Sequence, residues 1–398
     1  MARPVSSRCW TSLARCPSRP PSSAVIEPVG PQYGGGALAD VLPSVAAALS
    51  VPDFKNTLEL PPASRYAVLL FDGLGWNLLK RYAESAPYLS SLLSAGRSLT
   101  AGVPSTTAVS LTSLGTGLPP GAHGMVGYTS IVPETGALLN ALQWDAPVDP
   151  WKWQPHTTVF DRVAAAGVVT RNVSKVRFEK SGLTRAAFRG SLHRGADTVE
   201  DRLDATRFAS REGSSSLTYV YDSQLDYTGH GHGCDSPQWR AELVAADAFA
   251  AQVRAALPRD AVLVVVADHG MIDVAAENRV DLDNEPELTD GLRLIGGESR
   301  FRHLYCVDGA VDDVLATYRE RLGDRALVLS REEAVARGWF GAVEDRVAPR
   351  LGDVVVAALG PLSVVASRRF PQEAGLIGLH GSLTADEMEI PLLVDAGR

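Results

Sequence analysis

Val262-Leu-Val-Val-Val-Ala-Asp268-His269-Gly270-Met271 is the stretch that decides the fold. Six apolar residues, most of them β-branched, describe a buried strand. The run stops abruptly at Asp-His-Gly, which delivers two polar side chains at the strand's carboxyl end. In open α/β sheets, ligands bind outside the carboxyl ends of the strands. Adjacent residues on an extended chain point to opposite faces, so a bend is needed for Asp268 and His269 to reach one ion. A catalytic Asp–His dyad is the competing reading.

Outward from this strand, short β-branched runs alternate with helical stretches. Strands are expected at 66–71, 217–221, 261–267, 304–307 and 353–358, with a last short one at 390–394. Helices are expected at 75–94, 158–166, 238–256 and 311–321. The alternation predicts an α/β fold with a mainly parallel sheet and helices on both faces. The segment 275–345 differs in character. It opens with the acidic, proline-containing 281–290 and then runs strand, helix, strand (326–329), helix. It reads as a small α/β insertion into one large domain spanning 26–398. Before that domain, residues 1–25 carry Arg3, Arg8, Arg15 and Arg19 and no acid. They read as a disordered or targeting-like tail without a secretory apolar core.

Composition narrows the function. The chain has 398 residues, 45% of them hydrophobic and 21% charged, the make-up of an ordinary globular protein. A net charge of −8 gives no reason to expect a nucleic-acid scaffold or an anionic membrane as partner. A small anionic substrate remains compatible, because bound divalent ions reset the local field. No apolar run approaches the roughly 20 residues that cross a bilayer. Cys9 and Cys16 lie in the tail, while Cys234 and Cys306 are far apart without CxxC spacing, which argues against a disulfide framework or a thiolate zinc site. A cytoplasmic protein is expected.

Four further polar clusters fall after predicted strands. Asp72 follows Tyr66-Ala-Val-Leu-Leu-Phe and precedes Gly-Leu-Gly, where a carboxylate points into the crevice, although Asp-Gly is also an ordinary turn. Pro104-Ser-Thr-Thr-Ala-Val-Ser-Leu-Thr-Ser-Leu-Gly-Thr-Gly117 places a hydroxyl at a helix start, beside free N–H groups that hold anions or serve only a cap. His123, between glycines, reads as a structural turn residue. In Leu225-Asp-Tyr-Thr-Gly-His-Gly-His-Gly233, Asp226 and His230 are four apart, so one helical turn or a glycine-assisted loop brings both to one ion. His232 is a spare, and Asp222 a supporting carboxylate. Leu379-His380-Gly381 precedes the last strand. Together these supply three aspartates, three histidines and one threonine. That set suffices for two divalent ions clamping an in-line displacement.

In this order the motifs resemble the nucleotide pyrophosphatase/phosphodiesterase branch of the alkaline phosphatase superfamily. They run from Asp72 to His380, and the ordered set is specific where a lone Asp-His-Gly is not. The resemblance implies that Asp226, His230 and His380 bind one ion. It assigns Asp72, Asp268 and His269 to the other, together with the nucleophile's oxygen. Ten residues before Gly117 makes Thr107 the nucleophile, with Thr106 the neighbouring alternative. Zinc is the family's usual ion and suits mixed N/O ligands; the carboxylates leave manganese or iron open. One departure stands out. Where nucleotide pyrophosphatases carry an asparagine three residues after the nucleophile, this chain has Ser110, which leaves nucleotide specificity open. The absence of Cys from the nucleophile segment disfavours a sulfatase.

The expected activity is therefore two-metal hydrolysis of a small phosphorylated substrate, with nucleotides among the candidates, through a phospho-threonine intermediate. A phosphomonoesterase, phosphonate hydrolase or phosphomutase-like enzyme would use the same frame. A non-catalytic binding module would be expected to have lost a ligand, and all are present. Diesters are expected to outrank monoesters, because no Lys or Arg occurs between Arg97 and Lys152. Lys175, Arg300 and Arg302 are the distant cations that folding could bring in.

Overall fold

The computed structural model describes residues 27–397, so the expected 1–25 tail lies outside the described residues. Its frame is a seven-stranded sheet in the order Arg97–Thr100, Glu389–Asp395, Ala261–Ala267, Arg65–Phe71, Ser216–Asp222, Val169–Ser174, Leu192–Gly195. Glu389–Asp395 runs antiparallel to its neighbours. The other pairs are parallel. This is the mixed α/β architecture expected, with a mainly parallel sheet.

The sequence explains the sheet's centre. Every residue of Ala261–Ala267 is buried, and Arg65–Phe71 is buried after its first residue. Unbroken apolar runs are what strands covered on both faces require. Register then places the site. Phe71 lies level with Asp222 on one side and with Ala267 on the other. Three adjacent strands thus end together, and the next residues, Asp72 and Asp268, emerge side by side.

Predicted helices largely appear: Val159–Ala165 with a Thr158–Asp161 capping box, Pro237–Ala256 and Val311–Leu322. The continuous helix expected at 75–94 is instead three short pieces: Trp76–Arg81, the 3-10 turn Ala83–Ser85, and Pro87–Ser91. Pro87 causes the second break, since the residue before a proline avoids helical angles and Ala86 adopts φ −133°, ψ 64°.

A second, antiparallel sheet is ordered Leu292–Glu298, Phe301–Cys306, Val354–Ala358, Ala326–Ser330. One face adds Phe301, Leu329, Val355 and Ala357 to the main core. The other face builds a smaller core with Val314, Leu315, Tyr318 and Leu322 of the Val311–Leu322 helix. That four-residue spacing is one helical stripe. Sharing a face with the main core fixes this sheet at the edge of the site. Among the described residues no helix is long and apolar enough to cross a membrane.

Candidate active site

Asp72 leaves the Arg65–Phe71 strand as a buried carboxylate. The turn is closed by Gly73 at φ +77°, a conformation side chains rarely adopt. The N–H of Gly73 donates to Asp268 Oδ1 at 3.1 Å, and the His269 N–H donates to the same oxygen at 3.0 Å. Those two bonds supply the bend expected after Ala267. They turn Asp268 and His269 toward one point and leave Asp268 Oδ2 free.

Asp226 and His230 lie one turn apart on the helix Gln224–His232, so the helical alternative holds. His232 is exposed. Asp222 pairs with buried Arg202 and accepts the Gln224 N–H at 2.9 Å, securing the start of that helix. His380 arrives by a separate route, the two-residue ladder pairing Gly378–Leu379 with Ile272–Asp273. Gly378 packs so closely on this helix that a Cβ would lie 2.5 Å from the Gly229 carbonyl oxygen.

All three imidazoles are oriented alike. Nδ1 faces a backbone carbonyl in each: Gly378 for His230 at 2.7 Å, Gly270 for His269 at 3.1 Å, Ser105 for His380 at 3.0 Å. A carbonyl only accepts, so the proton sits on Nδ1 and Nε2 is left as a lone-pair donor. This is how ligating histidines are held.

The Nε2 atoms converge on carboxylates. His269 Nε2 is 3.4 Å from Asp72 Oδ1 and 3.4 Å from Asp268 Oδ2. Asp226 Oδ1 is 3.3 Å from His230 Nε2 and 3.7 Å from His380 Nε2. Two clusters have donor atoms within 4.8 Å of one another: Asp72, Asp268 and His269, and then Asp226, His269 and His380. His269 belongs to both because its ring stacks on His380 at 3.7 Å. His230 joins the second cluster through Asp226.

The electrostatics of these residues suit a cation. Asp72 Oδ1, Asp226 Oδ1 and Asp268 Oδ2 are buried without a hydrogen-bond partner. Burial, followed by the charges of Asp268 and Asp226, raises the Asp72 pKa well above the usual carboxylate range. Burial raises Asp268 as well, against the opposing pull of His269. Burial, followed by His269 and His230, holds His380 well below the usual histidine range. Convergent buried carboxylates without a cation are costly, and a divalent ion at these oxygens relieves the cost. The residues fit such an ion.

Thr107 opens the helix Thr107–Thr116, and its Oγ1 is 3.2 Å from His269 Nε2. It lines a cavity of about 660 Å³ together with Asp72 and Asp226. Thr106 is the N-cap and is turned instead toward the buried carboxyl of Glu298. Ser110 is not available to a substrate, because its hydroxyl donates to the Asp268 carbonyl at 2.7 Å. His123 is a buried structural residue whose Nε2 is 2.9 Å from Ser113 Oγ and whose Nδ1 accepts the Met125 N–H.

None of the three distant cations is free. Arg300 pairs with Glu387 and Arg302 with Glu373, both in the interior. Lys175 binds Ser223 and Gln224. Instead Arg177 and Lys180, both exposed, line the cavity. Sequence reasoning also missed two supports. Tyr221 donates its hydroxyl to Asp72 Oδ2, and its place one residue before Asp222 was the available signal. Glu298 Oε2 lies 3.6 Å from His380 Nδ1, delivered by the second sheet, and nothing local in the sequence marks it.

Comparisons with known proteins agree with this fold. The fold matches murine ectonucleotide pyrophosphatase / phosphodiesterase 5 with a TM-score of 0.67 at 19% identity, over 82% of this chain and 87% of that one. An inactive form of the murine protein in complex with AMP matches at 0.66 and 19%, over 83% and 87%. Phosphonoacetate hydrolase from Sinorhizobium meliloti 1021 in complex with phosphonoformate matches at 0.65 and 21%, over 84% and 90%. No curated protein sequence matches. The family described as type I phosphodiesterase / nucleotide pyrophosphatase matches residues 66–383. The chain belongs to the type I phosphodiesterase / nucleotide pyrophosphatase family and is a hydrolase of phosphoric esters.

Proposed function

We propose that the protein is a two-metal phosphodiesterase of the nucleotide pyrophosphatase kind, working through a phospho-threonine intermediate on Thr107. The observation that carries this reading is the convergence of three partnerless carboxylate oxygens beside the Thr107–His269 contact. Asp72, Asp268, His269 and the Thr107 oxygen would hold one ion, and Asp226, His230 and His380 the other. Zinc suits these mixed donors, with manganese or iron as alternatives. When bound, such ions lower the pKa of the attacking hydroxyl and neutralise charge on the phosphoryl oxygens.

The chain's own groups do the rest. Thr107 Oγ1 forms the bond to phosphorus as the bond to one ester oxygen breaks, and that oxygen leaves with its arm. Water then cleaves the phospho-threonine. The first-turn N–H groups of the Thr107–Thr116 helix lack intrahelical partners and supply neutral donors to the phosphoryl oxygens. The cavity of about 660 Å³ beside Thr107 accommodates the second ester arm. The AMP and phosphonoformate held by the solved neighbours support a small phosphorylated substrate, a nucleotide among them. Cys234 and Cys306 are free thiols, which suits the reducing cytoplasm, and we place the protein there.

Arg177 and Lys180 on the cavity favour a second reading, a phosphomonoesterase in which a cation meets the dianion. The deciding experiment strips metal with a chelator and restores zinc or manganese. It then compares kcat/KM for mono- and bis-nitrophenyl phosphate. The expected result is about two ions per chain and a diester preference of about ten-fold or more. A monoester preference would replace the diesterase assignment with a phosphatase.

A further inference from the structure

Ser105, two residues before Thr107, ties the segment of the attacking hydroxyl to the loop that carries His380. Three hydrogen bonds join these stretches, which are far apart in the sequence. The Ser105 N–H donates to the Gly381 carbonyl at 3.1 Å, in an isolated antiparallel bridge. The Ser105 hydroxyl donates to the Ser382 carbonyl at 2.7 Å. The Ser105 carbonyl accepts the His380 Nδ1–H at 3.0 Å. Backbone donor, backbone acceptor and side chain are thus all committed to one three-residue loop, and Ser105 and Ser382 are both fully buried.

That loop is held independently on its far side. Ser382 donates its N–H to Glu387 Oε1 at 3.0 Å and its hydroxyl to the Ala358 carbonyl of the second sheet at 2.6 Å. Glu387 is in turn paired with Arg300 in the interior. Gly381 sits at φ +126°, where a Cβ would come 2.8 Å from Glu298 Cδ. These contacts keep the loop's shape without Ser105. What the Ser105 hydroxyl adds is register between the loop and the start of the Thr107–Thr116 helix. Removing it leaves the buried Ser382 carbonyl without this donor, so the two segments part or admit water. Such a shift reaches the site at both ends. The Ser105 carbonyl orients the His380 ring, and Thr107 Oγ1 lies 3.2 Å from Nε2 of His269, whose ring stacks on His380.

We propose that Ser105 is a positioning residue whose hydroxyl fixes the Thr107 oxygen relative to His380, and so relative to the set Asp226, His230 and His380. The proposal rests on the reading of Thr107 as the attacking residue. A displacement of about 1 Å costs about 100-fold in rate. Disturbing the partner that orients a ligating histidine costs about 10- to 100-fold in metal affinity or activity. One lost hydrogen bond of three shifts the segments only in part, so the lower ends of these ranges apply.

The test compares Ser105→Ala with Ser105→Thr, which keeps the hydroxyl on a β-branched residue suited to a strand-like bridge. In the zinc-restored enzyme, Ser105→Ala should lower kcat for bis-nitrophenyl phosphate about 30-fold and change KM less than about three-fold. Titration against a competing chelator should show zinc held about ten-fold more weakly at one of two sites. Ser105→Thr should bring kcat and zinc affinity back to within about three-fold of the unaltered enzyme. A serine serving only the fold would lower the melting temperature and leave kcat and zinc affinity of the folded enzyme unchanged, and that result overturns the proposal. So does a loss of kcat that threonine does not reverse. Should the threonine variant not fold, NMR of the His380 Nδ1–H in Ser105→Ala decides: a shifted resonance supports the role and an unmoved one overturns it. Full activity in Thr107→Ala would instead remove the reading of Thr107. Ser105 is then judged on zinc affinity alone. A loss reversed by threonine supports its hold on His380, and no loss overturns it.

Discussion

Replacing Asp268 with asparagine should move the metal-free and metal-loaded proteins in opposite directions. Asparagine keeps the Oδ1 acceptor for the Gly73 and His269 N–H groups, so the turn that shapes the site survives. What disappears is a buried negative charge whose Oδ2 has no partner. With donor atoms of Asp72 and Asp268 within 4.8 Å, their repulsion is about 3 kcal/mol at an effective dielectric of about 20. Proton uptake at Asp72, whose pKa burial and neighbouring charges already raise, relieves part of this. The metal-free variant should therefore gain about 1–3 kcal/mol. At about 2.1 cal/mol/K per residue over 398 residues, the unfolding entropy is about 0.8 kcal/mol/K, so the gain appears as about 1–4 °C. In the presence of zinc the sign reverses. A lost ligand and a lost charge should weaken binding about 100-fold or more, which removes about 3 kcal/mol of metal-linked stability. Thermal scans in EDTA and in zinc measure both arms. A fall in EDTA as large as that in zinc would show that Asp268 serves the fold and not an ion.

Other outcomes follow from the same geometry. Thr107→Ala should cut turnover about a thousand-fold or more, with Thr107→Ser retaining part of it; Thr106→Ala, altering a cap turned toward Glu298, should cost less than about ten-fold. The reverse ranking in steady-state assays would make Thr106 the attacking residue. His303 is buried, donates from Nε2 to the Val126 carbonyl and accepts the Gly352 N–H at Nδ1, so burial holds its pKa at about 4 against 6.5. A histidine whose folded pKa is lowered leaves the unfolded chain binding more protons between those values. Stability should thus fall by about 2 kcal/mol from pH 8 to pH 5 on this account. Urea midpoints should show that loss reduced in His303→Gln, and an unchanged loss would remove His303 from the explanation.

The parts of the site that follow strong apolar runs were legible in the sequence. Asp72 and Asp268 could be placed because strands Arg65–Phe71 and Ala261–Ala267 are continuous apolar segments that end at a carboxylate. Asp226 and His230 could be paired because their spacing suits either a helix or a loop. The strands Val169–Ser174 and Leu192–Gly195 were missed. Leu192–Gly195 is the edge strand and Val169–Ser174 the one inside it, and they carry Arg, Asn, His and Thr in place of a clear alternation. Glu298 was hidden for another reason: its proximity to His380 is created by the second sheet packing on the main core, a long-range event that no local pattern encodes. The break at Pro87 was readable from the proline itself.

The central claim is covalent attack by Thr107, and rapid acid quench of the metal-loaded enzyme with bis-nitrophenyl phosphate tests it most directly. A burst of one nitrophenolate per active site is expected. Mass spectrometry should find a nitrophenyl phosphoryl group on the peptide containing Thr107, absent in Thr107→Ala. A burst-free time course with no modified peptide, or the group on Thr106, would contradict it.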